Sequence, residues 1–503
     1  MKERVITLIL IFLNKLQKIL EFFTNKTSNI NKVYYQYYEL RDIKFEIIEE
    51  YLKRINVKKL FRDHLFNYLF MYDLSIHNKA SLIKCFVDNK ISSSKISDQF
   101  VSKKDEIFFK KYNLNIKIKK IINLNPILIQ ILHWLMKKIQ FIQYYTKRIE
   151  GLSRFDPNKK YLNLIRTRYD HTERIYLNNL NKSLNNTIIF IIPNLQRKRQ
   201  QDYIKNLIRN KKDFFIYIPK ITFKEILKIA IKIYFSSFPK DLKLPLIRVL
   251  IERIEIDKIV EKLKEKFPDL REFYTSDEIF PNSVYLTQKL KDLNIKVINF
   301  AHGLGIFCPF VYYDEFYIYS KLQKKHYLGT SNYKFYNSKI SFKSIKQSLN
   351  KEFALIFICQ AIFSTPNIKS LKIKSAYKDV INIIEKIAKY YKLPVYAKYH
   401  PNSTELDKIL SNNIKIIEEI EDLPKKYKYL AITFSSTYVM ELLGSMPFIL
   451  VNPQNKIDLK YYFPENEFIY ATNYQELKNK IDKFLMNQNY YQEYWEKIYQ
   501  IIK

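Results

Sequence analysis

From about residue 182 onward, short unbroken apolar runs alternate with stretches in which apolar residues recur every three or four positions. The first kind predicts buried strands and the second amphipathic helices. Asn186–Pro193, Asp213–Pro219, Arg271–Thr275, Ile295–Phe300 and Asp314–Ser320 read as one set of strands. Residues 222–267, broken only by Pro239 and Pro245, and residues 282–293 read as helices between them. Residues 331–350 are polar and lysine-rich, show no strand, and read as a linker. A second set of strands follows at 353–359, 393–399, 414–417, 429–433 and 448–451, with an edge strand at 467–471. Helices are predicted at 370–391 and from 473 to 503. Strands separated by helices predict parallel sheets with crossovers. The fold class is therefore α/β, with two successive Rossmann-like parallel-sheet domains facing a cleft where a ligand sits by default.

The first third has a different texture. An apolar run from Val5 to Leu13 is too short to span a bilayer, and Lys15 and Lys18 follow it at once. It starts like a signal peptide, but no small-residue cleavage site follows, and an amphipathic helix from Val5 to about Phe23 fits better. Residues 30–120 read as helical and basic, with interleaved tyrosine and phenylalanine. Pro126–Arg148 predicts a further basic amphipathic helix, with Ile127, Ile131, Trp134 and Leu135 on one side. Such a helix either packs on a core with a lysine-rich outer face or lies in a membrane interface. His64, His77, His133 and His171 have no chemical partner at useful spacing. The predicted division is a helical basic extension at 1–180 and an acceptor-side domain at 181–335. A donor-side domain at 351–480 and a closing helix at 481–503 complete it.

Charge adds one question. The 503 residues carry a formal charge of +36, with many lysine, asparagine, isoleucine, tyrosine and phenylalanine residues and five glycines. An AT-rich coding sequence favours that set, so the lysine is either compositional drift or a selected basic surface. A selected surface would suit anionic lipid, a nucleotide or nucleic acid. No RNP-type, helix-turn-helix or zinc pattern supports nucleic acid, and none is expected as a partner. Cys85, Cys308 and Cys359 are scattered, without metal spacing, which fits a reducing compartment.

The candidate chemistry lies at predicted strand ends. The strand at 393–399 runs into His400-Pro401-Asn402-Ser403. The strand at 429–433 runs into Phe434-Ser435-Ser436-Thr437, then a short helix to Leu443 ended by Gly444 and Pro447. Hydroxyls at a helix start, beside free backbone N–H groups, suit a phosphate. Each motif alone is also what an ordinary turn or N-cap looks like. The strand at 295–300 ends in Ala301-His302-Gly303-Leu304-Gly305, which puts an imidazole at the ligand edge of the first sheet. There it either takes a proton from a hydroxyl nucleophile or caps a tight turn. Gly303, Gly305 and Gly444 fall in turns, where a glycine-poor chain keeps glycine for left-handed or crowded backbone. Asp277 and Glu278 follow the strand at 271–275.

Lys398-x-His400-Pro401, Ser435-Ser436-Thr437 with Glu441, and Gly444-x-x-Pro447, in this order, resemble the donor-binding domain of GT-B glycosyltransferases. The likeness is nearest to bacterial surface-polysaccharide enzymes: capsule sialyl- and polysialyltransferases, with a His-Pro and a Ser-Ser/Thr motif. Teichoic acid glycerophosphotransferases are similar and carry a His-Gly motif, as His302-Gly303 is here. The resemblance covers about 186–475. It implies a metal-independent GT-B transferase without cofactor, taking a CMP-linked, sialic-acid-like donor to a surface-polysaccharide, lipopolysaccharide or lipid-linked acceptor. By it, His400, Ser435, Ser436 and Thr437 hold the donor phosphate, Glu441 the ribose, and Lys398 the leaving group's charge. His302 is the first choice of base, and Asp277 or Glu278 the second. The acidic-acidic-Gly motif of the sialyltransferases is missing, since Ile279 follows Glu278. A CDP-polyol glycerophosphotransferase, a scaffold without catalysis and a nucleic-acid-binding protein are the alternatives. Docking of the basic extension on an anionic membrane would make the protein cytoplasmic and peripheral on the inner face.

Overall fold

The computed structural model describes residues 40–53, 55–72, 80, 150–167, 171–180, 182–191, 198–238, 240–278, 280–301, 308–329, 331–335, 351–360, 371–400, 414–436, 438–455, 459, 463–464 and 466–502. The amphipathic helices expected at 5–23 and 126–148 lie outside these residues, as do His77 and His133.

Among the described residues, thirteen strands form two sheets, and every pairing between them is parallel. In the first sheet, β1 (Asn163–Thr167), β2 (Thr187–Ile191), β3 (Phe214–Ile216), β4 (Glu272–Thr275), β5 (Lys296–Phe300), β6 (Glu315–Ile318) and β7 (Asn332–Phe335) lie in the order 3-2-1-4-5-6-7. The second contains β8 (Glu352–Ile358), β9 (Val395–Lys398), β10 (Lys415–Ile417), β11 (Tyr427–Thr433), β12 (Phe448–Val451) and β13 (Tyr470–Ala471). Its order, β10-β9-β8-β11-β12-β13, repeats the first six positions of the first sheet. The strand order reverses between β1 and β4, and again between β8 and β11. These are the switch points where doubly wound sheets open a crevice at their carboxyl edge. Two Rossmann-like parallel sheets in one chain are the sheet pair of the GT-B class.

The strands are legible because a parallel sheet buries both faces and so favours continuous apolar runs. All five residues of β2 are buried, and all of β8 except Glu352. Two strands depart from the expectations. The central strand β1 lies at 163–167, inside the stretch assigned to the helical extension, so the first sheet starts before residue 181. Its Asn-Leu-Ile-Arg-Thr has only two strongly apolar residues, and the pattern did not single it out. The edge strand β7 lies inside the expected linker. It is polar and only half buried, as edge positions allow. The expected boundary at 480 falls inside the helix Tyr474–Met486.

The stretch at 222–267 forms two helices, Phe223–Tyr234 and Lys240–Lys266, with Pro245 inside the second. No described helix is long and apolar enough to cross a membrane. Among the described glycines, the one with positive φ is Gly329 (φ 98°), where a Cβ would lie 2.3 Å from the Val311 carbonyl oxygen. That residue was not singled out from the sequence.

The helices Arg41–Leu52 and Lys59–Tyr72 belong to the first α/β unit. The second of them packs against the helices Lys240–Lys266 and Ser283–Lys291. Phe66 meets Phe45 and Phe310 at ring-centroid distances of 4.8 and 5.2 Å. His64 is fully buried, with Nε2 3.0 Å from Glu252 Oε2. Its partner lies 188 residues away in sequence, so spacing could not reveal it. Asn67 grips the backbone after β5: its Nδ2 donates to the Phe310 carbonyl at 2.9 Å, and the Phe310 N–H donates to its Oδ1 at 3.0 Å. Tyr312 donates its hydroxyl to Asp63 on the same helix.

Asn67→Leu leaves both backbone groups of Phe310 unsatisfied in a part-buried position, at about 1–3 kcal/mol for each buried orphan. A urea unfolding series is expected to show a clearly lowered midpoint for this variant. An unchanged midpoint would mean the clamp contributes nothing.

Candidate functional site

At the carboxyl edge of the second sheet, three segments come from neighbouring strands. Cys359 and Gln360 follow β8, Tyr399 and His400 follow β9, and Phe434–Ser436 follow β11. The edge is tied sideways. Thr433 Oγ1 donates to the Ile358 carbonyl at 2.9 Å, and the Cys359 N–H donates to the Lys398 carbonyl at 3.0 Å. The same Thr433 hydroxyl accepts the Ser436 N–H at 3.1 Å, and Ser436 Oγ accepts the Tyr438 N–H at 3.4 Å. Ser436 is buried and Ser435 half-buried, so this turn is held by its own hydroxyls at the switch point between β8 and β11.

His400 is half-buried at the end of β9. With β8 between β9 and β11, His400 and Ser435 leave the sheet about 10 Å apart by ordinary strand spacing. Lys398 does not face this turn. Its Nζ lies 2.9 Å from Glu419 Oε2 and also donates to the Glu418 carbonyl, next to β10. A lysine already matched by a carboxylate is a poor candidate for neutralising a leaving group. Pro401 and Thr437 lie outside the described residues, and nothing is described of the Glu441 side chain.

The expected helix after Ser436 is a single turn, Val439–Leu442. One turn sums few peptide dipoles, so local N–H groups and hydroxyls count for more here than a macrodipole. The turn is anchored from behind: Trp495 Nε1 donates to the Leu443 carbonyl at 2.7 Å from the helix Gln488–Ile502. Gln360, at the carboxyl end of the strand expected at 353–359, follows β8 and joins this edge, as does Asn452 after β12, which was missed in the sequence. The only available signal was a polar residue directly after an apolar run.

The first sheet carries a buried polar row at its own switch point. Arg166 near the end of β1 pairs with Asp277 after β4, and both are almost fully buried. Asn299 on β5 is 0 % exposed. Its Oδ1 accepts the Asp277 N–H at 2.8 Å, and its Nδ2 donates to Glu278 Oε2 at 2.9 Å. Glu278 is also fully buried, and its carbonyl accepts the Cys308 N–H at 3.0 Å. Asp277 and Glu278 are thus held within the protein and do not face solvent. Arg166 and Asn299 were not predicted, because partners 111 and 21 or 22 residues away leave no local spacing.

His302, Gly303 and Gly305 lie outside the described residues. Ala301, just before them, is buried at the end of β5, and β5 pairs with β4 through Thr275 and Asn299. The Cys308 thiol is fully buried, and desolvation pushes its pKa well up, so it is no ready nucleophile. Among the described residues, no group of histidine, cysteine and carboxylate side chains could hold a metal ion.

Removing one partner of the Arg166–Asp277 pair leaves a buried charge unmatched, at about 3–5 kcal/mol. Arg166→Met and Asp277→Leu are each expected to lower the urea midpoint strongly, and the double variant less than the sum of the two. Additive losses would show that the two side chains are not coupled.

No protein-family model matches the chain, and no curated protein matches it. Among solved structures, the UDP-GlcNAc 2-epimerase from Neisseria meningitidis, bound to UDP-GlcNAc, is similar at a TM-score of 0.37 and 11% identity. That match covers 68% of this chain and 94% of the other. The UDP-N-acetylglucosamine 2-epimerase from Rickettsia bellii is similar at 0.34 and 14%, over 68% and 95% of the two chains. The fold assignment rests on strand order and not on these likenesses.

Proposed function

We propose that this protein is a GT-B-type glycosyltransferase that moves a sugar from a nucleotide-sugar donor to a surface-polysaccharide or lipid-linked glycan acceptor. The observation that carries this reading is the second sheet's switch point. Its hydroxyl-bonded Ser435-Ser436 turn shares one carboxyl edge with His400, with about two strand spacings between them. The Ser436 and Tyr438 N–H groups are taken inside the turn, so what it offers a donor phosphate is the Ser435 and Ser436 hydroxyls, and the imidazole of His400 suits a second contact to it. At transfer the bond between the sugar carbon and the nucleotide's phosphate oxygen breaks and the nucleotide leaves with the electron pair, so groups fixed beforehand around that phosphate stabilise charge that grows on the leaving oxygen. On this reading a CMP-linked, sialic-acid-like sugar is the donor, with Thr437 and Glu441 completing the site. Lys398 keeps at most a supporting part, given its pairing with Glu419.

His302, two residues after β5 in the sequence, is the proposed base. Asp277 and Glu278 are better read as positioning groups, since Arg166 and Asn299 occupy them. They fix the turn after β4 beside the strand that carries Ala301. The basic extension is proposed to bring the enzyme to the inner face of an anionic membrane, where lipid-linked acceptors reside.

A thermal-shift screen of CMP, CDP, UDP, GDP and ADP tests the donor site, because a bound ligand raises stability by mass action. CMP is expected to raise Tm, and His400→Ala and Ser436→Ala are each expected to abolish most of that rise. A shift with CDP alone would favour polyol-phosphate transfer. No shift with any nucleotide would sink the donor site. In turnover assays with a competent donor, His302→Ala is expected to reduce kcat by at least about a hundredfold, the usual scale of general-base catalysis, with donor KM little changed. A loss confined to KM would make His302 a binding residue.

A further inference from the structure

The helix Phe223–Tyr234 has an outer face unlike the rest of the described surface. Four of the eleven exposed large apolar side chains among the described residues lie on it or on the residue after it: Leu227 (42 %), Ile231 (49 %), Tyr234 (43 %) and Phe235 (80 %). Elsewhere among the described residues they occur singly or as one adjacent pair in sequence. Leu227, Ile231 and Tyr234 stand at i, i+4 and i+7, and Phe235 at i+8, so they form one stripe. Lys224, Lys228 and Lys232 form a parallel row beside it, and all three are exposed. The inner face is set by Ile226 and Ile233, which are buried, and the helix packs on Lys240–Lys266.

The helix is built to persist with this face uncovered. Thr222 and Glu225 form a reciprocal capping box at its start. Glu225, the only acid in the helix, also lies 2.8 Å from Lys258 Nζ. The hydrogen bond from that lysine and the Thr222 N–H pull its pKa down to about 2. Lys243 Nζ takes the Tyr234 and Ser236 carbonyl oxygens at the other end, at 2.5 and 2.9 Å. The exposed face of the helix therefore offers apolar surface and positive charge, and its one carboxylate, partly exposed at the first turn, is engaged by Lys258 and Thr222.

We propose that the helix Phe223–Tyr234, with Phe235, docks on an anionic lipid bilayer. An apolar stripe edged by lysine is the composition that beds in the headgroup region, apolar side down, with the ammonium groups among lipid phosphates. Charge complementarity selects this occupant. A second copy seated on the same face would bring like lysine rows together on chains of +36 each. A nucleic acid would take the lysines but leave Leu227, Ile231 and Phe235 in water. The surface is separate from the donor edge of the second sheet, so vesicle binding and nucleotide binding fail independently.

Flotation of the full-length protein with phosphatidylcholine vesicles, with and without phosphatidylglycerol, tests this. The protein is expected to float only with phosphatidylglycerol present. Leu227→Ser/Ile231→Ser/Phe235→Ser and, separately, Lys224→Gln/Lys228→Gln/Lys232→Gln are each expected to lower the partition coefficient at least about tenfold, at roughly fivefold per lysine. All six positions are exposed, and an unchanged circular dichroism spectrum and Tm would show that both variants fold. Undiminished flotation of both folded variants would overturn the proposal. So would a shift from dimer to monomer in the apolar variant with vesicle binding intact, since that would make the face a contact between copies.

Discussion

A parallel sheet must be covered on both faces, because its crossovers run over them and no side is left for water. Much of the described chain answers to that requirement, twice over. Strands such as Thr187–Ile191 and Glu352–Ile358 are apolar nearly throughout. In the second unit, Tyr491, Tyr494 and Trp495 from the last helix donate hydrogen bonds to carbonyls of Tyr429, Phe448 and Leu443 as they cover it. The carboxyl edges are where this apolar regime gives way. There the strand order reverses and polar turns emerge from a rigid base, which is the place a doubly wound sheet has for chemistry.

The two edges use their polar groups differently. At the second, Thr433, Ser436 and Tyr438 bond within one short turn, beside half-buried Ser435 and His400. At the first, Arg166, Asp277, Asn299 and Glu278 are joined with almost no exposure. A buried ion pair offsets its desolvation only when its geometry and remaining hydrogen bonds are good. The part that fits such a network is to hold the turns after β4 and β5 in register. The helix Lys59–Tyr72 acts on the same region from outside, through Asn67 on Phe310 and Asp63 on Tyr312. A segment that reads as an appendage is thereby part of what shapes the first sheet's loops.

Charge also changes meaning once it is placed. Lysine spread along the sequence is compatible with drift, and many lysines do lie in ordinary surface pairs, such as Lys262 with Glu265 and Lys53 with Glu50. Lys398 looks like donor chemistry in sequence, yet it is matched by Glu419. Lys224, Lys228 and Lys232 carry no motif at all. Their interest comes from sharing an exposed face with Leu227, Ile231 and Phe235.

By itself the sequence determined the α/β class, most of the strands and the fact that His400 and Ser435-Ser436 stand at strand ends. Burial on both faces writes itself into local apolar runs, and turns into polar residues after them. It did not reveal β1, whose Arg166 and Thr167 break the apolar pattern, or β7, whose edge position does not require one. Only the tertiary structure decided the strand order and with it the two switch points. It alone also paired His64 with Glu252 and Arg166 with Asp277, and assigned the helices Arg41–Leu52 and Lys59–Tyr72 to the first unit. Those are relations between residues tens to hundreds of positions apart. Local spacing cannot encode them, because what selects them is which surfaces meet when two sheets are covered.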